Sequence, residues 1–424
     1  RYRDIFDMFR RHTDKIDSVT VWGIADDGTW LKDFPFPRLD LPLLFDEQLQ
    51  SKPAYWGLVD PSRLPQFTRR LTVPRGRVDV DGHTDDEWTL LPGTDVHSRT
   101  GVGTNFQVRW DDRNLYVKAD VLDPTRDHGD LVDIFVDRNN AKTPAYEADD
   151  ARYRVLRNGS HGSGFRASAR PTPTGYRVEA AIPLRAAVDS AIGFDIRVRD
   201  ARNPAVPASW NDNASGQDTD TSRWATLTLV KPIGQIDVKR GTPVIDGVAD
   251  PVWSRASRLV STDVQVIGTG GARASAKVLW DSGHLYILAA VADPTLDESN
   301  PNTFEQDSIE IFLSPENHKN AGYRDEDGQY RISFTNRRTV TGNFGGFRIA
   351  DNLTSATRLV SGGYIVEASV ELDSIRPGAG SLLGFDLQVN DATAGTRTAV
   401  RTWHDPTGRS FMDTSRWGIA KLGR

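Results

Sequence analysis

The chain has 424 residues, 38% of them hydrophobic and 26% charged, a balance that suits globular domains with real cores and argues against disorder. A formal charge of −6 excludes the basic face that nucleic acid requires, and no run of about 18 apolar residues offers a helical membrane span. Cysteine is absent, so disulfide frameworks and thiolate metal sites are excluded as well.

The opening "RYRDIFDMFRRH" is charged and amphipathic, unlike a signal peptide, and with no initiator Met the true start is expected upstream. Ile5, Met8 and Phe9 follow helical spacing, a turn at Asp17-Ser18 leads into an expected strand "VTVWG", and "LPLLFDEQLQSKPAYWGLV" reads as a second helix interrupted near Pro53. About 60 residues of this kind bury too little surface to be secure alone.

From about residue 72 the sequence repeats once. "VDVDGHTDDEW" (78–88) returns as "PVIDGVADPVW" (243–253), and "VRWDDRNLYVKADVLDPT" (108–125) as "VLWDSGHLYILAAVADPT" (278–295). "TGYRVEAAI" (174–182) matches "GGYIVEASV" (362–370), and "TSRW" closes both copies. The period is too long for a solenoid, so a domain is duplicated. Two-residue alternation punctuated by Asp-Gly, Asp-Pro and Gly-Gly predicts many short strands and an antiparallel β-sandwich in each copy. The expected fold class is therefore mostly β: two tandem sandwiches over 72–232 and 233–424, preceded by an α/β piece over 1–64. Trp253, Trp280, Trp403 and Trp417 recur as Trp88, Trp110, Trp210 and Trp224, which marks them as packing residues.

"VWGIADDGTWL" followed by "PLLFD" and "KPAY" resembles the closing part of glycoside hydrolase family 10 xylanases, retaining (β/α)8-barrel enzymes. The resemblance implies that residues 1–62 are the seventh helix, eighth strand and eighth helix of such a barrel. It also makes Trp22 and Trp30 remnants of its sugar subsites, at the end of a barrel strand where such sites lie; the alternative is two core tryptophans. A retaining glycosidase needs two carboxylates about 5–5.5 Å apart, in that family two glutamates on earlier strands. The first 64 residues hold only Glu47, and the resemblance gives Asp26 and Asp27 neither role. The chain by itself is expected not to hydrolyse glycosidic bonds, and an active enzyme would need upstream sequence.

The second copy, through "LWDSGHLYILAAVADPTLDESNPNTFEQDSIEIFLSPENHKNAGYRDEDGQYRI" and "WHDPTGRSFMDTSRWG", resembles carbohydrate-binding module family 9. In that family two tryptophans sandwich a terminal sugar and polar side chains bond its hydroxyls. The resemblance places the stacking positions on Phe304 and Phe411, matches the charged ligand residues with Glu310 and Arg331, and puts Ser333 and Gly408 where the family has amides. A cross-strand ion pair is the competing reading of Glu310 and Arg331, because the first copy holds Asp133 and Arg154 there. Between the copies the residue offset rises from 170 at Trp110/Trp280 to 177 at Asp130/Asp307. Seven extra residues thus surround Phe304, while Phe411 is matched by Asp218, so the first copy lacks both aromatic faces.

The resemblance also implies structural Ca²⁺ held by loop oxygens. The repeated turns Asp81/Asp85 and Asp246/Asp250 and "RDEDG" (324–328) offer ligands, of which Asp246 and Asp250 are the named candidates; solvated turn formers are the alternative. The expected partners are xylan or cellulose-type polysaccharides and oligosaccharides, with no nucleic acid and no membrane. The expected molecule is an extracellular monomer. A structural, haem-binding or partner-binding sandwich pair is the alternative function; Met8 and Met412 are the only methionines, and the eight histidines show no paired spacing.

Overall fold

A computed structural model describes residues 2–32, 41–64, 68–98, 101–125, 127–212, 215–257, 260–320, 322–342, 352–372 and 377–424. The chain divides into two compact units, Arg1–Thr68 and Arg69–Arg424.

In the first unit, helix Tyr2–Arg11 lies against helix Pro53–Val59. Gly57 makes that approach possible, since an added Cβ would sit 3.2 Å from the Arg3 backbone nitrogen. Two sequence expectations need correction. The stretch "VTVWG" is not a strand; among the described residues of the unit only two isolated bridges form, Ala25 to Phe45 and Phe45 to Ser51. Strand N–H and C=O groups need a neighbouring strand, and none of the described residues of this unit forms one. The second helix is confined to Pro53–Val59, because the preceding chain turns at Asp46, whose Oδ1 accepts the Gln48 and Gln50 amides. Pro53 therefore opens the helix at its first turn, where its missing N–H costs nothing. Only Ala25 and Leu43 are buried hydrophobics among the unit's described residues, as its short length dictates.

In the first sandwich, a five-stranded sheet runs Thr94–His97, Gly103–Trp110, Asn114–Leu122, Gly175–Pro183, Arg166–Thr172. It faces a sheet ordered Arg70–Pro74, Ala225–Val230, Ala191–Arg199, Leu131–Asp137, Asp150–Leu156. Alternate residues such as Val132, Ile134, Val136, Phe194 and Ile196 fill the space between, each fully buried. The second sandwich repeats this plan around Ile309, Ile311, Leu313, Phe385 and Leu387. Its sheets are joined through Gln235–Arg240, which pairs with both Gly418–Leu422 and Arg273–Trp280. The sandwiches are antiparallel except at this strand and at Arg70–Pro74, which pairs parallel with Ala225–Val230.

The shared tryptophans are packing residues. Trp88, Trp110, Trp224, Trp253, Trp280 and Trp417 are fully buried, and the half-buried Trp403 packs against the second core. The Asp-Gly turns are structural for a matching reason. Glu179 accepts hydrogen bonds from the Gly82 amide (2.8 Å) and the Trp88 indole (3.1 Å). Glu367 does the same for Gly247 (3.0 Å) and Trp253 (2.8 Å). At the seam between the sandwiches, the buried Asn317 side chain donates to the Leu90 carbonyl at 2.9 Å.

Candidate sugar-binding site

Three neighbouring strands of the second sandwich, Ser308–Ser314, Gly328–Ser333 and Leu382–Thr393, turn one set of side chains inward to the core and the other outward. Glu310 lies on the outward face, opposite Arg331 on one neighbour and Gln388 on the other. Its carboxylate accepts from Gln329 Nε2 (2.7 Å), Gln388 Nε2 (3.3 Å) and Asn390 Nδ2 (2.7 Å). Although Arg331 is its cross-strand partner, no ion pair joins them among the described residues. Arg331 gives one Nη2 hydrogen bond to Gln306 (3.1 Å), and its Nε and Nη1 are buried without a partner. Burial pulls the Arg331 pKa below its ordinary value, against the opposing charge of Glu310.

Phe304 rises on the single turn Thr303–Glu305, inside the extra loop. The loop is pinned by Asp297, which accepts the Ser299 and Gly395 amides at 2.8 and 2.6 Å. Phe411 follows a turn built on Asp405, which accepts from the Thr407 amide (2.8 Å) and the Ser410 hydroxyl (2.7 Å). The rings are 49% and 55% exposed, so neither belongs to the core. Both line one cleft of about 370 Å³ together with Glu310, Arg331, Gln329, Gln388 and Arg397. The Arg397 guanidinium lies 5.7 Å from the Phe304 ring centre. Apolar plates over a floor of fixed hydrogen-bonding groups form a binding arrangement suited to a sugar, whose C–H face and hydroxyl edge have opposite demands.

Of the two positions expected to lose amides, Gly408 lines the cleft, whereas the Ser333 hydroxyl bonds within its own turn to Thr335 and Arg337. Gln329, Gln388 and Arg397 are site residues that sequence reasoning missed. The available signal was a polar residue at every second position, Gln329/Arg331 and Gln388/Asn390, alternating with apolar Tyr330, Ile332, Leu387 and Val389.

A family model described as carbohydrate family 9 binding domain-like matches residues 80–232 and 245–424, most of the chain. The chain belongs to this family. A glycosyl hydrolase family 10 model matches residues 1–61. Among curated relatives, endo-1,4-beta-xylanase C of Paenibacillus barcinonensis is 40% identical over 100% of this chain and 40% of its own. Endo-1,4-beta-xylanase A of Thermoanaerobacterium saccharolyticum is 38% identical over 98% and 36%. The chain thus spans about two fifths of the length of these relatives. A solved family 9 carbohydrate binding module from Caldicellulosiruptor kristjanssonii, in complex with cellotriose, is 34% identical over 45% of this chain and 95% of its own, with a TM-score of 0.42.

The two family 9 copies differ at this site. In the first, Asp133 is held by Arg154 (2.7 and 3.0 Å) and Arg197 (2.7 Å). Asp218, which stands where the second copy has Phe411, accepts from Arg197 (2.9 Å) and Arg152. Burial works against its ionisation, but these arginines hold the Asp218 pKa down to about 2. Where the second copy has a cleft floored by amides, the first carries an ion network.

In the family 10 segment Trp22 and Trp30 are 84% and 50% exposed, with ring centres 6.5 Å apart. Both indoles are exposed on this unit. Asp26 is buried and ion-paired with Lys52. At the expected metal ligands Asp246 and Asp250, Asp246 Oδ1 accepts the Val248 amide and Asp250 Oδ2 the Val244 amide, so these oxygens shape their own turn. Acids close enough to share an ion lie elsewhere, at Asp123/Asp130/Asp200, Asp137/Asp149/Asp150 and Glu316/His318/Glu326. Only the last draws on "RDEDG", through Glu326.

Proposed function

We propose that the second sandwich grips a chain end of xylan or a cellulose-type glucan, and that the first unit and the two modules form the C-terminal region of a secreted endo-1,4-beta-xylanase. The observation that carries the reading is the convergence of two half-exposed phenyl rings with buried Glu310 and Arg331 in one cleft. Tethering at the polymer raises the local concentration of a linked catalytic domain. With Glu47 the only glutamate in its first 64 residues, the chain alone releases no sugar from xylan.

The test is calorimetric titration of the chain with xylo- and cello-oligosaccharides. Phe304→Ala and Phe411→Ala are each expected to weaken binding roughly 5- to 30-fold, the worth of about 1–2 kcal/mol for a stacked aromatic contact. Unchanged affinity in both ring variants would sink the proposal.

A structural calcium ion is the second part of this reading, at Asp123, Asp130 and Asp200 rather than in the Asp-Gly turns. All three are buried, and Asp123 Oδ2 has no hydrogen-bond partner. Arg157 ion-pairs with Asp130 at 3.2 Å, so three carboxylates and one guanidinium leave a charge that a hard divalent cation offsets. Added Ca²⁺ should raise the melting temperature of chelator-treated protein, and Asp123→Asn should abolish the increment.

A further inference from the structure

The network of the first sandwich does not balance. Arg152 and Arg154 project from strand Asp150–Leu156, and Arg197 and Arg199 from strand Ala191–Arg199, around the carboxylates of Asp133 and Asp218. Four guanidiniums meet two carboxylates, which leaves two positive charges on one face. Tyr146, packed beside them, is neutral and bonded to the Gln217 carbonyl. Asp150, further along the strand, accepts the Glu147 amide. The excess lies on the arginines that are least spent. Arg154 uses both arms of its fork on Asp133. Arg152 gives only Nη1 to Asp218, while Arg199 reaches it by a single long contact of 3.5 Å and keeps Nε without a partner. Their side chains are 38% and 32% exposed.

These arginines occupy, strand for strand, the positions of the cleft residues Gln329, Arg331 and Gln388 and of the buried Asn390 that donates to Glu310. Arg152 stands for Gln329, Arg154 for Arg331, Arg197 for Gln388 and Arg199 for Asn390, with Asp133 for Glu310. Amides suited to neutral hydroxyls have become guanidiniums, and the stacking ring has become the acid that orders them. A planar guanidinium fork matches a carboxylate. We propose that this face binds saccharides that carry a carboxylate, that is, uronates, and that Arg152 and Arg199 are the residues that take the acid group. The two modules then read different parts of one substrate, the second a neutral chain end and the first an acidic residue.

Calorimetry on the whole chain tests this with three probes: neutral xylo-oligosaccharide, the same oligosaccharide bearing glucuronate, and inorganic phosphate. The acidic oligosaccharide should occupy two sites and the neutral one a single site, with the extra site weakening as salt rises. In the double variant Arg152→Gln/Arg199→Asn, which takes its residues from the second copy and leaves two arginines matched to two aspartates, the extra site should weaken at least tenfold. Neutral sugar binding in the same variant reports that the protein is folded. If neutral sugar failed to bind while the acidic site persisted, the function proposed for the second sandwich would fall and this inference would stand. The inference is overturned if acidic and neutral sugars bind with equal stoichiometry, if the double variant keeps the extra site, or if phosphate binds there as tightly as the uronate.

Discussion

Arg331 keeps a charged group under the floor of the cleft with Nε and Nη1 bonded to nothing in the protein. A buried donor without an acceptor is costly, and Arg331 lines the cleft, so a small shift of its side chain toward a bound sugar would give these donors a hydroxyl acceptor. The arginine is thus strained toward its ligand rather than toward the fold. Arg331→Gln should therefore lose about 1.5–3 kcal/mol of sugar affinity, roughly 10- to 150-fold, the worth of a hydrogen bond to a charged group. Its melting temperature should hold or rise, because a buried, unpaired cation is removed. A melting temperature that falls in step with affinity would mean that Arg331 is a structural residue. At this scale the sequence was readable where a residue contradicted its surroundings. Phe304 and Phe411 stand among polar loop residues, and both face the cleft. Gln329 and Gln388 alternate with apolar residues as any solvent-facing strand position does, and only their convergence on Glu310 separates them from surface. Asp246 and Asp250 show the opposite case, because in a sequence an acid that shapes a turn and one that binds calcium look alike.

The loop that carries Phe304 is an addition to the fold. The first copy closes the same strands with seven residues fewer, and its sheet Leu131–Asp137/Ala191–Arg199 keeps the same register as Ser308–Ser314/Leu382–Thr393. Shortening the second copy's loop to the first copy's length should leave the β-structure intact by circular dichroism and move the melting temperature by only a few degrees, since surface insertions add little loop-closure cost. Sugar binding should fall below detection. A folded, shortened protein that still bound xylo-oligosaccharide would separate the loop from the site. Elements were legible wherever the duplication supplied two samples of one pattern, as with the tryptophans and the Glu-held turns. The stretch "VTVWG" has the composition of a strand, but strand formation is decided by neighbours, and the described residues of its unit provide none.

Across the molecule, burial of acids gives stability a dependence on pH. Asp293 and Asp307 lie together within the second sandwich, both almost fully buried, and Asp293 Oδ2 has no hydrogen-bond partner. Desolvation, reinforced by the nearby Asp391, raises their pKa values to about 6 and about 7. An unfolded aspartate releases its proton near pH 4, so between roughly pH 4 and 7 the folded protein holds protons that the unfolded chain has lost. Stability then falls as pH rises through that window, and the loss is complete once the folded groups ionise. Asp195 and Asp386, raised by desolvation to about 6 and about 7, add to the same fall, whereas two further shifted groups act outside the window. Asp218, held near 2, has delivered its gain by about pH 4.5, and Lys319, lowered to about 7 by burial, adds stability only as pH climbs further. Chelator-treated protein should therefore melt ~5 °C or more lower at pH 7 than at pH 5, on the scale by which about 1 kcal/mol moves a domain of this size by a few degrees. Asp307→Asn, which cannot ionise, should flatten the slope. An Asp307→Asn variant whose melting temperature still fell over this range as steeply as the parent's would place the proton elsewhere.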